Sequence, residues 1–327
     1  MLRIWCKEFL LENNVIILHA KRIIFKLSKM KTTILITLVA LQFLSCSNEN
    51  EVAVTNEKVT APVRVHVDDF SMSVSEFSEA RVMTRSAQNV SDYKDVGAID
   101  LAFYAGTTEV YKKTQLRNDS STFITFGDFS CNLPMGSYTM VVIGRGVFSD
   151  DNFELTSPEL AEYTGNHARE TFVATQTVTI SNTDSVDLSA TLNRVISKLK
   201  IESTDEKIAN ATSVRTTFSA GGKKFNPSTG LAAINNGFSN TVKISAADGK
   251  TTSTTNFLFL STDEQTMDVT IETLDKNGNT LFSKTVSNVA LKRNRVTTLK
   301  GAMYTNTALS GSFLLESDWL TENTISF

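Results

Sequence analysis

Side chains able to act as nucleophile, general base or metal ligand are few in this chain. Of its three histidines only His66 and His167 stand beyond residue 45, and no cysteine lies close to either, so neither a zinc spacing nor a His-rich metal cluster is present. His66 falls beside Arg64 and Asp68 on the polar side of an alternating run, the place of an exposed strand residue. His167, in Gly165-Asn166-His167-Ala168-Arg169, has a loop composition. Cys131, in Phe129-Ser130-Cys131-Asn132-Leu133, shares the phase of two apolar residues, which points to an inert buried thiol. Gly144-Arg145-Gly146 and Gly221-Gly222 read as turns, since nothing around them completes a phosphate loop, and no nucleophile elbow occurs. Lys292-Arg293-Asn294-Arg295 reads as a solvated turn, with a contact to anionic sugars as the second reading. Asp150-Asp151 is a carboxylate pair of the kind loops routinely carry, and its spacing alone does not single it out for Ca²⁺. No catalytic set, cofactor or metal is expected.

The elements that hold these residues are strands. From Val63 onward apolar and polar residues alternate with a period of two, as in Met267-Asp268-Val269-Thr270-Ile271-Glu272, Phe172 to Ile180 and Leu188 to Leu192. Such runs suit antiparallel sheets buried on one face. Turn signals separate them at Gly106, at Pro134-Met135-Gly136 and at Asp275-Lys276-Asn277-Gly278-Asn279, where Asn-Gly tolerates positive φ. Ser149 to Gly165, with Pro158, is expected to form a loop or one short helix. Two phase changes matter, because a one-residue slip turns every side chain to the other face. Val63, Val65 and Val67 are odd while Phe70, Met72 and Val74 are even, which requires a bulge or break at Asp68-Asp69. Leu188, Ala190 and Leu192 are even while Val195, Leu199 and Ile201 are odd, and a domain crossing is placed at Asn193-Arg194. The expected organisation is therefore a domain over 63–193 and another over 194–327, each long enough for a sandwich core. The formal charge of −3 gives no reason to expect nucleic acid as a partner.

The N-terminal region reads as an address. From Met30 come Lys31, an apolar run from Ile34 to Leu44, then Ser45 and Cys46: a secretory signal too short to span a bilayer. Residues 1–29 read as translation from a start too far upstream, with a basic amphipathic membrane helix as the alternative. Phe43-Leu44-Ser45-Cys46 resembles a bacterial lipobox, with Phe43 where that pattern prefers Leu. The resemblance implies removal of residues 30–45 and acylation of Cys46. Beyond it, Ser47-Asn48-Glu49-Asn50-Glu51 is similar to the surface-export signal of Bacteroidetes lipoproteins, and 46–62 serves as a flexible acidic tether. Seven of the 32 Lys and Arg and two of the 35 Asp and Glu precede Cys46, so the remainder carries a formal charge of −8.

Three further segments carry a family resemblance: Ala98-Ile99-Asp100-Leu101-Ala102-Phe103-Tyr104, Leu133-Pro134-Met135-Gly136-Ser137-Tyr138-Thr139-Met140-Val141-Val142, and Leu192-Asn193-Arg194-Val195-Ile196-Ser197-Lys198-Leu199. With the lipobox they resemble the fimbrillin superfamily of Bacteroidales, the FimB/Mfa2-like fimbrial subunit and anchor lipoproteins, over residues 46–327. The resemblance implies an all-β chain of two tandem transthyretin-like Greek-key β-sandwich domains. It implies lipidation at Cys46 and assembly of surface fimbriae by exchange of strands between subunits. Its motifs mark a fold and carry no catalytic chemistry.

Strand exchange needs a groove and an extended segment with apolar residues at alternate positions. At the N-terminal side, Val63, Val65, Val67, Phe70, Met72 and Val74 form one candidate, followed by Arg81 and Arg85, after which a trypsin-like protease could cut and free that strand. A permanent edge strand is the other reading. At the C-terminus Phe313, Leu315, Trp319, Ile325 and Phe327 are all odd, a second candidate for donation or else a hairpin that completes its own domain. The expectation is a non-enzymatic, surface-exposed outer-membrane lipoprotein held by lipid on Cys46, which acts as fimbrial subunit or anchor and contributes to adhesion. Its partners are other fimbrial subunits and surface ligands on host or bacterial cells. A glycan-binding lipoprotein of a nutrient-uptake system is the alternative, and Trp319 is the one Trp after Cys46 to serve it.

Overall fold

The alternation that begins at Ala61 builds the first strand. The computed structural model describes residues 59–71, 87–148, 152–305 and 314–317. Within it β1 (Thr60–Ser71) buries Ala61, Val63, Val65 and Val67 and turns Arg64 and His66 outward. The remaining strands of the first half are β2 (Ala87–Asn89), β3 (Ala98–Ala105), β4 (Thr108–Leu116), β5 (Asp128–Pro134), β6 (Gly136–Arg145), β7 (Phe153–Ser157), β8 (Leu160–Tyr163), β9 (Thr171–Ile180) and β10 (Val186–Arg194). β1 runs parallel to β10 and antiparallel to β5, and its register on β10 shifts between Val67 and Asp69, so Phe70 regains the inner face. The phase change at Asp68-Asp69 is thus a bulge inside one strand.

Reading β1 as an edge strand is corrected here. β10 covers one side of it, and β5 followed by β2 at Asp69–Ser71 covers the other. β4, β3, β6 and β9 form the facing leaf. β9 and β10 pair only at Val173↔Asn193 and Phe172↔Arg194, so the sheet folds over at this corner and its two leaves close on one core. That core takes Val63, Val65 and Phe70 from β1, Leu101 and Phe103 from β3, Met140 from β6 and Leu192 from β10.

The second half holds β11 (Ser197–Ser203), β12 (Ser213–Phe218), β13 (Lys224–Asn226), β14 (Leu231–Ala232), β15 (Phe238–Lys243), β16 (Ser253–Leu258), β17 (Glu264–Leu274), β18 (Thr280–Lys292), β19 (Val296–Gly301) and β20 (Leu314–Ser317). Sheet β16-β11-β19-β20 faces sheet β15-β12-β17-β18 over a core that includes Leu199, Ile201, Phe218, Val269, Ile271 and Leu299. The Asp275–Asn279 loop joins β17 to β18, with Gly278 at φ 82. Asp275 accepts from the Asn277 and Asn279 amides at 2.8 Å each, and these bonds, the Asn279 side chain foremost, hold its carboxyl below the usual range.

A third core crosses the division at Asn193-Arg194. Ala98–Tyr104, apolar but for the buried Asp100, and Met140–Ile143 are runs of consecutive buried residues, which mark strands covered on both faces. Their outer face meets sheet β14-β13-β8-β7, drawn from both halves of the chain, through Tyr104, Ile143, Tyr163, Phe225 and Phe259. Phe225 and Phe259 stack at 4.1 Å between centroids. The loop or helix expected over Ser149–Gly165 is corrected as well, since 153–163 is the hairpin β7–β8 that this third layer requires. Among the described residues there is no α-helix and none long and apolar enough to cross a membrane.

Candidate functional site

The slot occupied by β1 brings the sequence-derived site residues together. Val63, Val65, Val67 and Phe70 face inward opposite Val186, Leu188, Ala190 and Leu192 of β10. Burial of each contributes about 1.5 to 3 kcal/mol. The outward face holds β1 much less firmly: Arg64 meets Asp187 at 3.3 Å with both side chains exposed, and His66 lies 3.7 Å from Asp68 and hydrogen-bonds Asp128. Exposed pairs of this kind contribute under about 1 kcal/mol each. β1 is therefore held by its apolar side and by backbone pairing.

Phe70 has a socket of its own. Its ring lies 5.0 Å from that of Phe172 and 5.9 Å from that of Tyr93, and it crosses Gly144 so closely that a Cβ there would stand 2.7 Å from the Phe70 ring. Gly144 is thus a strand residue within β6 and not the turn expected of Gly144-Arg145-Gly146; its missing side chain makes the room.

Behind the socket is a buried charge cluster. Arg194 and Glu170 pair at 2.6 Å with side chains only 2% and 9% exposed, and the Tyr93 hydroxyl donates to Glu170 at 2.7 Å while accepting from Arg194 at 2.9 Å. Burial first and Glu170 second hold the Tyr93 phenol far above its ordinary range, so it stays a donor. Arg194 also reaches Asn294 Oδ1 at 3.3 Å. The Lys292–Arg295 turn is consequently not a fully solvated one: Asn294 is 1% exposed at φ 57, and Arg293 pairs with Asp263 at 2.6 Å.

Arg117 fixes the chain just beyond β2. Its Nε donates to the Val96 carbonyl at 2.8 Å and its Nη2 to those of Val90 and Tyr93 at 2.8 and 3.1 Å, with the guanidinium 4.1 Å from the Phe126 ring centre. A second buried pair, Arg145 with Asp100 at 2.7 Å, joins β6 to β3 and takes a bond from Thr114 at 2.6 Å. Spacing alone did not reveal these clusters, because a charge in a strand shows no mark of its partner far along the chain. The one available signal was Asp100 within the apolar run of β3.

Cys131 lies on β5 opposite Val63, half-buried against the core, and burial pushes its thiol up to about 11. Native protein at pH 8 is expected to react with a disulfide reagent at Cys131 at least about tenfold more slowly than protein in urea, because few thiolates form. Equal rates in a stopped-flow assay would show an open, ordinary thiol. Leu315 belongs to β20, whose backbone pairs with β19 from Thr297↔Ser317 to Lys300↔Leu314. That part of the tail lies beside its own domain. Cys46, Met72, Val74, Arg81, Arg85, Asp150, Asp151, Phe313, Trp319, Ile325 and Phe327 lie outside the described residues.

Residues 60–323 match the family described as a family of unknown function (DUF6562). No curated protein matches the chain. Among solved structures, the fimbrial anchor protein Mfa2 from Porphyromonas gingivalis is similar at 9% identity and TM-score 0.46, over 79% of this chain and 97% of that one. A candidate adhesin from Bacteroides ovatus ATCC 8483 is similar at 11% identity and TM-score 0.48, over 74% and 87%. A fimbrilin (fimA) from Porphyromonas gingivalis W83 is similar at 13% identity and TM-score 0.36, over 79% and 96%.

Proposed function

This chain belongs to that family of unknown function, and we propose that it is a non-enzymatic outer-membrane lipoprotein, anchored through Cys46, that acts as a fimbrial subunit or anchor and links to its neighbours by strand exchange. Adhesion follows from that assembly. The observation that carries the reading is the seating of β1: an interior strand at the start of the fold, held by one apolar face, with Arg81 and Arg85 in the chain that follows it. Once that chain is cut, only non-covalent contacts retain β1, and another strand can compete for the same walls.

The register states what a replacement must look like. Val186, Leu188, Ala190 and Leu192 are evenly spaced by two, and the extra residue of the bulge belongs to β1. An unbulged strand therefore fits with inward residues at every second position and an aromatic in the fourth place. Phe313, Leu315, Ser317 and Trp319 have that spacing. Protein cut after Arg85 and mixed with a peptide of residues 313–327 is expected to release its β1 fragment and take up the peptide. A Trp319→Ser peptide is expected to bind at least about tenfold more weakly, since it loses the largest buried side chain. Mass spectrometry of the separated species checks this; a β1 fragment that stays bound under excess peptide sinks the exchange mechanism. On cells, an acylated Cys46 marks an anchor and a mature start at Ser86 a polymerising subunit.

A further inference from the structure

The end of the slot where β1 begins is apolar. Val59, Met135 and Val110 are 58%, 48% and 39% exposed, and together with Ala105, Pro134 and Tyr138 they line a hollow of about 570 Å³.

An independent observation concerns the root of the C-terminal tail. The Asp205 carboxylate accepts from the amides of Met303, Tyr304 and Thr305 at 2.8, 2.9 and 3.0 Å and from the Thr305 hydroxyl at 3.0 Å. Met303 and Tyr304 are buried, and the Tyr304 hydroxyl pairs with that of Thr252. The tail thus departs from a fixed point. Nine residue steps separate Thr305 from Leu314, a reach of at most about 30 Å when fully extended. A copy that gives this segment to another subunit cannot stand away from it. Its body has to abut the end of the slot through which the strand enters.

We propose that the apolar surface formed by Val110 and Met135 with Ala105 and Pro134, which stays when the fragment carrying Val59 departs, is the seat for the body of a second, strand-donating copy of this chain. The proposal rests on the strand-exchange reading above and adds to it a contact that the exchanged strand does not make. Entry is at the Val59 end, because a replacement strand that runs as β1 does, with Phe313 in the first place and Trp319 in the fourth, has its root at that end. The donor contributes an apolar side chain near its tail root, where Ile208, three residues beyond Asp205, is 37% exposed. Contact between these patches removes from water surface that each copy alone leaves wet.

The test uses the protein cut after Arg85, with and without the double change Val110→Glu and Met135→Glu at exposed positions. Two readouts are taken: sedimentation of assembled species, and capture of a labelled peptide of residues 313–327. The expected result is assembly weakened at least about tenfold in the double variant, with peptide capture unchanged within about twofold. Equal assembly by parent and variant, with peptide captured by both, overturns the seat and leaves strand exchange standing. Failure of the cut parent to capture peptide removes strand exchange, and the seat with it.

Discussion

Phe70→Ala is expected to lower the stability of the intact protein by about 3 to 5 kcal/mol, the cost of emptying a closed aromatic site. The reason is the socket: Phe172, Tyr93 and Leu192 surround the ring, and the strand crossing at Gly144 offers no side chain that could relax into the space. Gly144→Ala alone is also expected to destabilise, by about 1 to 3 kcal/mol, since its methyl group would meet Phe70 inside contact distance. Combined, the two changes are expected to cost less than their sum, because the new methyl group occupies the space the ring has left. Urea titration of the four proteins gives the coupling. Additive losses would mean that Phe70 and Gly144 do not share one site.

Arg194→Met is expected to cost about 3 to 5 kcal/mol, for a different reason. It leaves the Glu170 carboxylate buried with the Tyr93 hydroxyl as its remaining partner and breaks the bond to Asn294. The charge then has neither water nor a cation to balance it. Adding Glu170→Gln is expected to restore part of the loss, since an amide costs less to bury than a carboxylate. Because Asn294 belongs to the second half, Arg194→Met is also expected to lower protection of the β18–β19 turn in hydrogen exchange. A loss under about 1 kcal/mol in the urea midpoint would mean that the pair is solvated and structurally incidental.

The sheet elements were legible wherever one face is wet and the other dry. β1 and β17 alternate in sequence and in burial alike, and even the bulge at Asp68-Asp69 was visible as a change of parity. Legibility failed where the environment has no period. Phe153–Tyr163 carries too few alternating residues to declare a hairpin, and its burial depends on β13, some sixty residues later. The position of β1 inside its sheet was hidden for a related reason: alternation reports which side chains face the core, while the neighbours along the hydrogen bonds come from β5 and β10, far along the chain. Of the candidate site, the inward residues of β1 could be named from spacing, but the Phe70 socket could not. It depends on an absent side chain at Gly144 and on a charge pair that no local pattern announces.

The mixed sheet of β7, β8, β13 and β14 governs how the molecule responds to a pull. Any swivel of one half against the other about Val195-Ile196 would have to part Phe225 from Ala161 and Lys224 from Glu162, and to slide Phe259 off Tyr163. Tension arriving at one extremity therefore travels through the joint as shear across several bonds at once, and a filament assembled from such units would bend between subunits before it bends within one.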